Sequence, residues 1–287
     1  MAYTTFAELL EAAEAHGSLA AAAIERESYE TGEAEESLRA RMRENLGVMR
    51  EAVTLGLRGD VRSRSGLVGG DAALVAASGS GVMSGLSARA LAAALAVSEV
   101  NAAMGRVVAA PTGGASGILP GVLIATADDS GLGDDAVVDA LFAAAAIGAV
   151  IEARTNLSGA AAGCQAEVGA AAAMAAGATT ELLGGSPEEA GHAAALALQG
   201  LLGLVCDPVC GLVEVPCVAR NGTAAGVALS AIEMARAGVR FPIPFDEVAE
   251  ALASVGRALP ASLRETAQGG LAATPTAREI ERSITDA

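Results

Sequence analysis

The residues of this chain best suited to chemistry are its four cysteines, Cys164, Cys206, Cys210 and Cys217. A thiolate is both a nucleophile and a soft metal ligand. Cys164 stands among Ala and Gly and, taken alone, reads first as a small buried apolar residue. Cys206 and Cys217 differ, because Cys206-Asp207-Pro208 and Pro216-Cys217 interrupt helix. A cytosolic cysteine cluster on irregular backbone more often binds metal or does redox chemistry than packs. Spacing does not choose between zinc and an iron–sulfur cluster, since there is neither a Cys-x2-Cys pair nor a zinc-finger histidine pattern.

Two glycine-rich loops are the next candidates. Thr112-Gly113-Gly114-Ala115-Ser116-Gly117 offers successive backbone amides and hydroxyls ahead of a helix start, the makings of an anion nest or of a plain turn. It matches no Walker or dinucleotide pattern. Arg62 to Ala72, RSRSGLVGGDA, is the second, with Ser65, Gly69, Gly70 and Asp71 as a possible pocket wall. His16 reads as a surface residue and His192 as a packed or capping one. Arg154, Asn156, Arg220 and Asn221 flank the cysteine blocks, where they could steady the loops or simply cap and pair. No residue declares itself as a catalytic base.

The elements that must position these residues are helical. Leu38, Met42, Leu46, Met49 and Val53 make a three-and-four-residue stripe that predicts a helix over Glu33 to Leu57. Further helices are expected over Ser87–Met104, Asp134–Arg154 with Asp134 as cap, Gly159–Gly177 and Ala219–Ala237. Ser186-Pro187-Glu188-Glu189 reads as a capping box with Pro at the first helical position, opening a helix to about Val205. Asp246 is expected to cap another helix, and Thr274-Pro275 to start a short terminal one. No repeat or long linker divides the chain, so it reads as one all-α domain over 1–287, with 1–60 as an N-terminal helical region.

Composition narrows the function. Hydrophobic residues make up 52%, mostly small ones, while aromatics are 2% and Trp is absent. Small side chains let helices approach closely, whereas a β sandwich wants aromatic and β-branched residues. A net charge of −16 excludes a basic surface for nucleic acid or anionic lipid. All 18 basic residues are Arg. Without Lys the chain cannot hold pyridoxal phosphate as a Schiff base. The acidic N-terminus is no signal peptide, and the apolar run Ala140–Ile151 is too short to span a bilayer. A cytoplasmic location with reduced cysteines is therefore expected.

Four segments, RSRSGLVGGDA, SEVNAAMGRVVAAPTGGASGILPG, NLSGAAAGCQAEVG and GLVCDPVCGLVEVPCVARN, resemble in order the blocks of iron–sulfur-dependent L-serine dehydratases. The resemblance covers most of Arg62 to Asn221; its GCQAEVG and CDPV…VPC blocks are specific, and its glycine loops are weak alone. It implies that Cys164, Cys206 and Cys217 hold a 4Fe–4S cluster and that Cys210, where relatives often have Ala, is a spare thiol. It implies a single compact helical domain whose Gly- and Cys-containing loops form the cluster site. Three ligands leave one iron open, a Lewis acid for the hydroxyl that serine loses on its way to pyruvate and ammonia. Ser65, Gly70, Asp71, Thr112, Gly113 and Ser116 become the substrate-binding candidates, with L-serine as substrate. No Ser-Ser-His-Thr-like motif of the longer relatives is found, nor the C-terminal Cys that caps the fourth iron in some. The resemblance is thus to the α subunit of the two-subunit type, with a β subunit supplying the rest of the substrate site. Alternatives are a cysteine- or threonine-directed lyase of the same family, or a non-catalytic zinc-stabilised helical scaffold.

Overall fold

A computed structural model describes residues 3–78, 81–83 and 85–285, so the extreme ends of the 1–287 domain lie outside the described residues. Thirteen α-helices appear among them: α1 Phe6–His16, α2 Leu19–Thr31, α3 Glu35–Gly56, α4 Asp71–Ala77, α5 Gly85–Ala102, α6 Ile118–Ser130, α7 Asp134–Glu152, α8 Gly159–Ala162, α9 Ala170–Leu182, α10 Pro187–Gln199, α11 Cys217–Arg236, α12 Phe245–Ala258 and α13 Pro275–Thr285. The described residues contain no strand; one isolated bridge joins Cys206 and Arg264. The chain is all-α, as its composition and periodicity imply.

Helix α9 is the axis of the molecule. Every residue from Ala170 to Thr180 is buried, and α6, α7, α10 and α11 pack around it. A helix apolar on all sides belongs in a core, not on a surface. The neighbours come close because the contact residues are small. A Cβ at Gly177 would lie 2.5 Å from Ile147 Cδ1, and one at Gly148 would lie 3.0 Å from Met174 Sδ. Helices α1 to α3 cover α7 on the outside, and α5 carries α3, α4 and α11.

Local signals explain most helix starts. Ser186 and Glu189 form the expected capping box, with Pro187 leading α10. Thr5 and Glu8 form another at α1. Gly133, not Asp134, caps α7; Asp134 lies in the first turn and pairs with Arg50 at 2.7 Å. Asp246 does not cap its own helix, which starts at Phe245 after Pro244. Its carboxylate instead accepts from Phe6 N–H at 2.8 Å and Ala7 N–H at 3.2 Å, capping α1, and pairs with Arg154. No described helix is long and apolar enough to cross a membrane.

Two expected helices are shorter than their patterns, and both departures build the site. The stretch Gly159–Gly177 is broken at Gly163, where φ is 80° and ψ is 170°. Only Gly adopts that conformation at low cost. A five-residue π turn, Gln165–Gly169, then joins Cys164 to α9. Helix α10 ends at Gln199, short of Val205, and the chain leaves it to meet Gln165. The Gln165 N–H donates to Leu204 O at 2.9 Å, and its side-chain oxygen accepts from Gly203 N–H at 2.9 Å. Its Nε2 donates to Ala162 O and Leu252 O. One fully buried glutamine therefore joins the segments before Cys164 and Cys206.

Candidate metal centre

Cys164, Cys206 and Cys217 come from three separate elements and line one cavity of about 180 Å³. Cys164 follows the Gly163 break. Cys206 lies on extended backbone held by residues 263–265: its N–H donates to Leu263 O at 2.9 Å, and its carbonyl accepts from Glu265 N–H at 2.7 Å. Cys217 is the first residue of α11. All three are buried, and all four cysteines are free thiols. Cys210 lies outside this cavity, half-buried, with φ at 58°.

Glu167 completes the group. Ligand atoms of Cys164, Cys206 and Glu167 lie within 4.8 Å of one another. Burial pushes the Glu167 carboxyl up. Gly159 has no room for a side chain: a Cβ would sit 2.5 Å from Glu167 Oε2 and 2.8 Å from Cys206 Sγ.

The sulfurs do not share charge equally. The neighbouring Cys206 depresses the Cys164 thiol, and Arg220 adds to the effect. Cys206 is pushed far up by the neighbouring Cys164 and by burial. Burial pushes Cys217 up to about 12, and the charges of Cys164 and Glu167 add to it. Of the three sulfurs, Cys164 is the one whose surroundings favour the ionised form. Three buried thiolates require a metal centre to compensate them. The donor set, three sulfurs with one carboxylate alongside, fits a thiolate-bound centre with a position left for something other than sulfur.

Two residues of α11 fix the loops. Arg220 pairs with Asp207 at 2.8 Å and donates to Val205 O at 2.9 Å, and its charge favours the Cys164 thiolate. Asp207 also accepts from Leu271 N–H at 2.7 Å. Asn221, fully buried, accepts from Gly117 N–H at 2.9 Å and donates to Gly114 O at 2.7 Å and Cys217 O at 2.9 Å. It ties the glycine loop to the start of α11. Arg154 and Asn156 take no part: the first pairs with Asp246, and the second accepts from Ser158 N–H.

The substrate candidates divide. Thr112 and Gly113 line the cysteine cavity. Ser116 lies behind it, fully buried, and its hydroxyl has no partner among the described residues. Ser65 lies on a second, open hollow of about 650 Å³ that shares Gly113, Gly114 and Val213 with the first. Gly70 and Asp71 line neither; they start α4, where the N–H groups of Asp71 and Ala72 donate to buried Glu99 at 2.6 and 3.2 Å. Sequence reasoning missed Glu167, although its three-residue spacing from Cys164 places both on one helical face. It also missed Glu214 and Glu265. No local signal marks those two, because their partners are distant in sequence.

Fold and site together define a class: an all-helical protein whose loops gather buried thiols and a carboxylate around one cavity. Residues 14–272 match the family model described as serine dehydratase alpha chain. The chain belongs to that family. It is 47% identical over 264 residues to a probable L-serine dehydratase, alpha chain, of Bacillus subtilis (strain 168), covering 91% of this chain and 88% of the relative. It is 39% identical over 264 residues to the L-serine dehydratase, alpha chain, of Peptoniphilus asaccharolyticus, covering 91% and 90%. A longer relative, L-serine dehydratase 1 of Escherichia coli (strain K12), is 47% identical over 182 residues, which is 62% of this chain but 40% of the relative.

Proposed function

We propose that this chain is the cluster-bearing α subunit of a cytoplasmic L-serine dehydratase, converting L-serine to pyruvate and ammonia. The carrying observation is the convergence of Cys164, Cys206 and Cys217 on a cavity walled by Thr112 and Gly113. Those three cysteines would hold a 4Fe–4S cluster. Bound there, the cluster would supply a Lewis acid for the departing hydroxide. Glu167 and Glu265 give the cavity a negative wall suited to the substrate ammonium. Glu167, whose carboxylate lies beside the Cys164 and Cys206 sulfurs, would accept a proton. Loss of the α proton and of hydroxide leaves aminoacrylate, which tautomerises and takes up water, releasing ammonia and pyruvate. A separate β subunit would supply what the longer relatives carry in the rest of their length.

The test is anaerobic purification with the partner chain, followed by iron, acid-labile sulfide and pyruvate assays. The protein should be brown and lose activity in air. Ala at Cys164, Cys206 or Cys217 should each abolish cluster binding, while Cys210→Ala should keep the iron and most activity. Zinc without iron or sulfide would sink the cluster, and absence of pyruvate from an iron-loaded complex would sink the activity.

A further inference from the structure

The open hollow that adjoins the cysteine cavity is lined by one cationic side chain among the described residues, Arg64. Its neighbours hold it in place. The Ser63 hydroxyl donates to the buried Glu214 carboxylate at 2.6 Å, the Ser65 hydroxyl donates to the same oxygen, and the Ser65 N–H reaches the other at 3.4 Å. Ser63 N–H donates to Val68 O at 3.0 Å and Gly66 N–H to Ser63 O at 3.1 Å. The loop on both sides of Arg64 is thereby fastened to the segment that leads into Cys217. The Arg64 side chain is exposed, and among the described residues it makes no salt bridge and no side-chain hydrogen bond. By contrast Arg50, Arg154 and Arg220 are paired with aspartates.

An uncommitted guanidinium on a fastened loop stands apart from the other charges of the two hollows, which are Glu167, Glu214 and Glu265. On a chain of net charge −16, it is the one cationic side chain among the described residues lining them, and it attracts an anion. An amino acid carries both signs. Its ammonium suits the carboxylates, and its carboxylate needs a donor such as a guanidinium, which binds carboxylate through two parallel hydrogen bonds. We infer that Arg64 binds the α-carboxylate of the amino-acid substrate and so sets which end of the molecule faces the cysteine cavity. The inference rests on the serine dehydratase reading for the identity of that amino acid.

The experiment uses the anaerobically reconstituted complex with Arg64→Gln and Arg64→Lys, and compares L-serine with L-serinamide, whose carboxylate is replaced by a neutral amide. Arg64→Gln should raise KM for L-serine about 10- to 100-fold, the scale of a lost charge-assisted hydrogen-bonded pair, with a smaller change in kcat. It should erase most of the preference for L-serine over L-serinamide; Arg64→Lys should restore part of it, and iron content should not move. A KM within about twofold of wild type with the preference intact would overturn the assignment. Loss of partner association in place of a KM change would overturn it too, giving Arg64 to the subunit interface. Calorimetric titration of the same complexes separates this from the reaction itself. Serine binding that weakens in Arg64→Gln, in a complex that makes no pyruvate, would keep the carboxylate site and refute the activity; binding of neither compound to wild type would refute both.

Discussion

At the scale of single residues, the site depends on side chains that never face the cavity. Asn221 is the clearest case. Its three hydrogen bonds serve Gly117, Gly114 and Cys217, so one side chain sets the distance between the glycine loop and the third cysteine. Asn221→Leu keeps the volume roughly constant but strands a buried amide and two carbonyls. The expected cost is about 2–4 kcal/mol of unfolding free energy, the sum of several unmet buried groups, measured by denaturant titration. Iron retention should fall with it, since the start of α11 loses its tie. An unchanged midpoint would show that water takes over these bonds. Arg220 acts similarly through the Asp207 pair and the Val205 carbonyl. Both α11 residues stand out in the sequence as flanking polar groups, but their partners do not, because those partners lie up to 107 positions away.

At the scale of elements, the cysteines are delivered where helices stop. Uninterrupted helix from Gly159 to Gly177 would satisfy the local pattern, yet it would carry Cys164 on a regular helical surface. The Gly163 break prevents this. A Cβ there would fall 2.6 Å from Leu259 Cδ1 and 3.0 Å from Leu204 O, on top of the backbone penalty of its φ and ψ. Gly163→Ala is therefore expected to cost about 2–5 kcal/mol, combining backbone strain and overpacking, and to lower both the thermal midpoint and the iron content. Full stability in this variant would mean that the turn can re-form as helix. The early end of α10 has the same logic: Gly203 and Leu204 leave helical hydrogen bonding to bond with Gln165. Periodicity along one segment carries no trace of such a bond, which explains why α10 was expected to run on to Val205.

At the scale of the whole molecule, the open hollow beside the cysteine cavity is the part of the site left to solvent. Met104, 74% exposed, stands on its rim with φ at 62°, and Ile284 of α13 closes another side. The longer Escherichia coli relative matches this chain over 40% of its own length, so most of that protein lies in sequence this chain does not share. We expect the isolated chain to bind its cluster and turn over L-serine poorly. Adding the partner should raise pyruvate formation by orders of magnitude, because misplacing a substrate costs rate steeply. Full turnover by the isolated, iron-loaded chain would place all the catalytic groups within it.

The sequence by itself determined the helical class, through its small apolar residues and its three-and-four-residue spacing, and it marked the cysteines, the glycine loops and the capping box. These are properties of neighbouring residues, and local physics decides them. Tertiary structure alone decided that Cys164, Cys206 and Glu167 stand within 4.8 Å of one another, and that Asp246 caps a helix some 240 residues away. It alone separated Thr112 and Gly113, on the cavity, from Ser116 behind it and from Gly70 and Asp71 at the start of α4. The physical reason is that burial and hydrogen-bond partnership depend on which distant segments pack together, and an alanine-rich helix can pack against many neighbours equally well until glycine breaks and buried polar side chains select one arrangement.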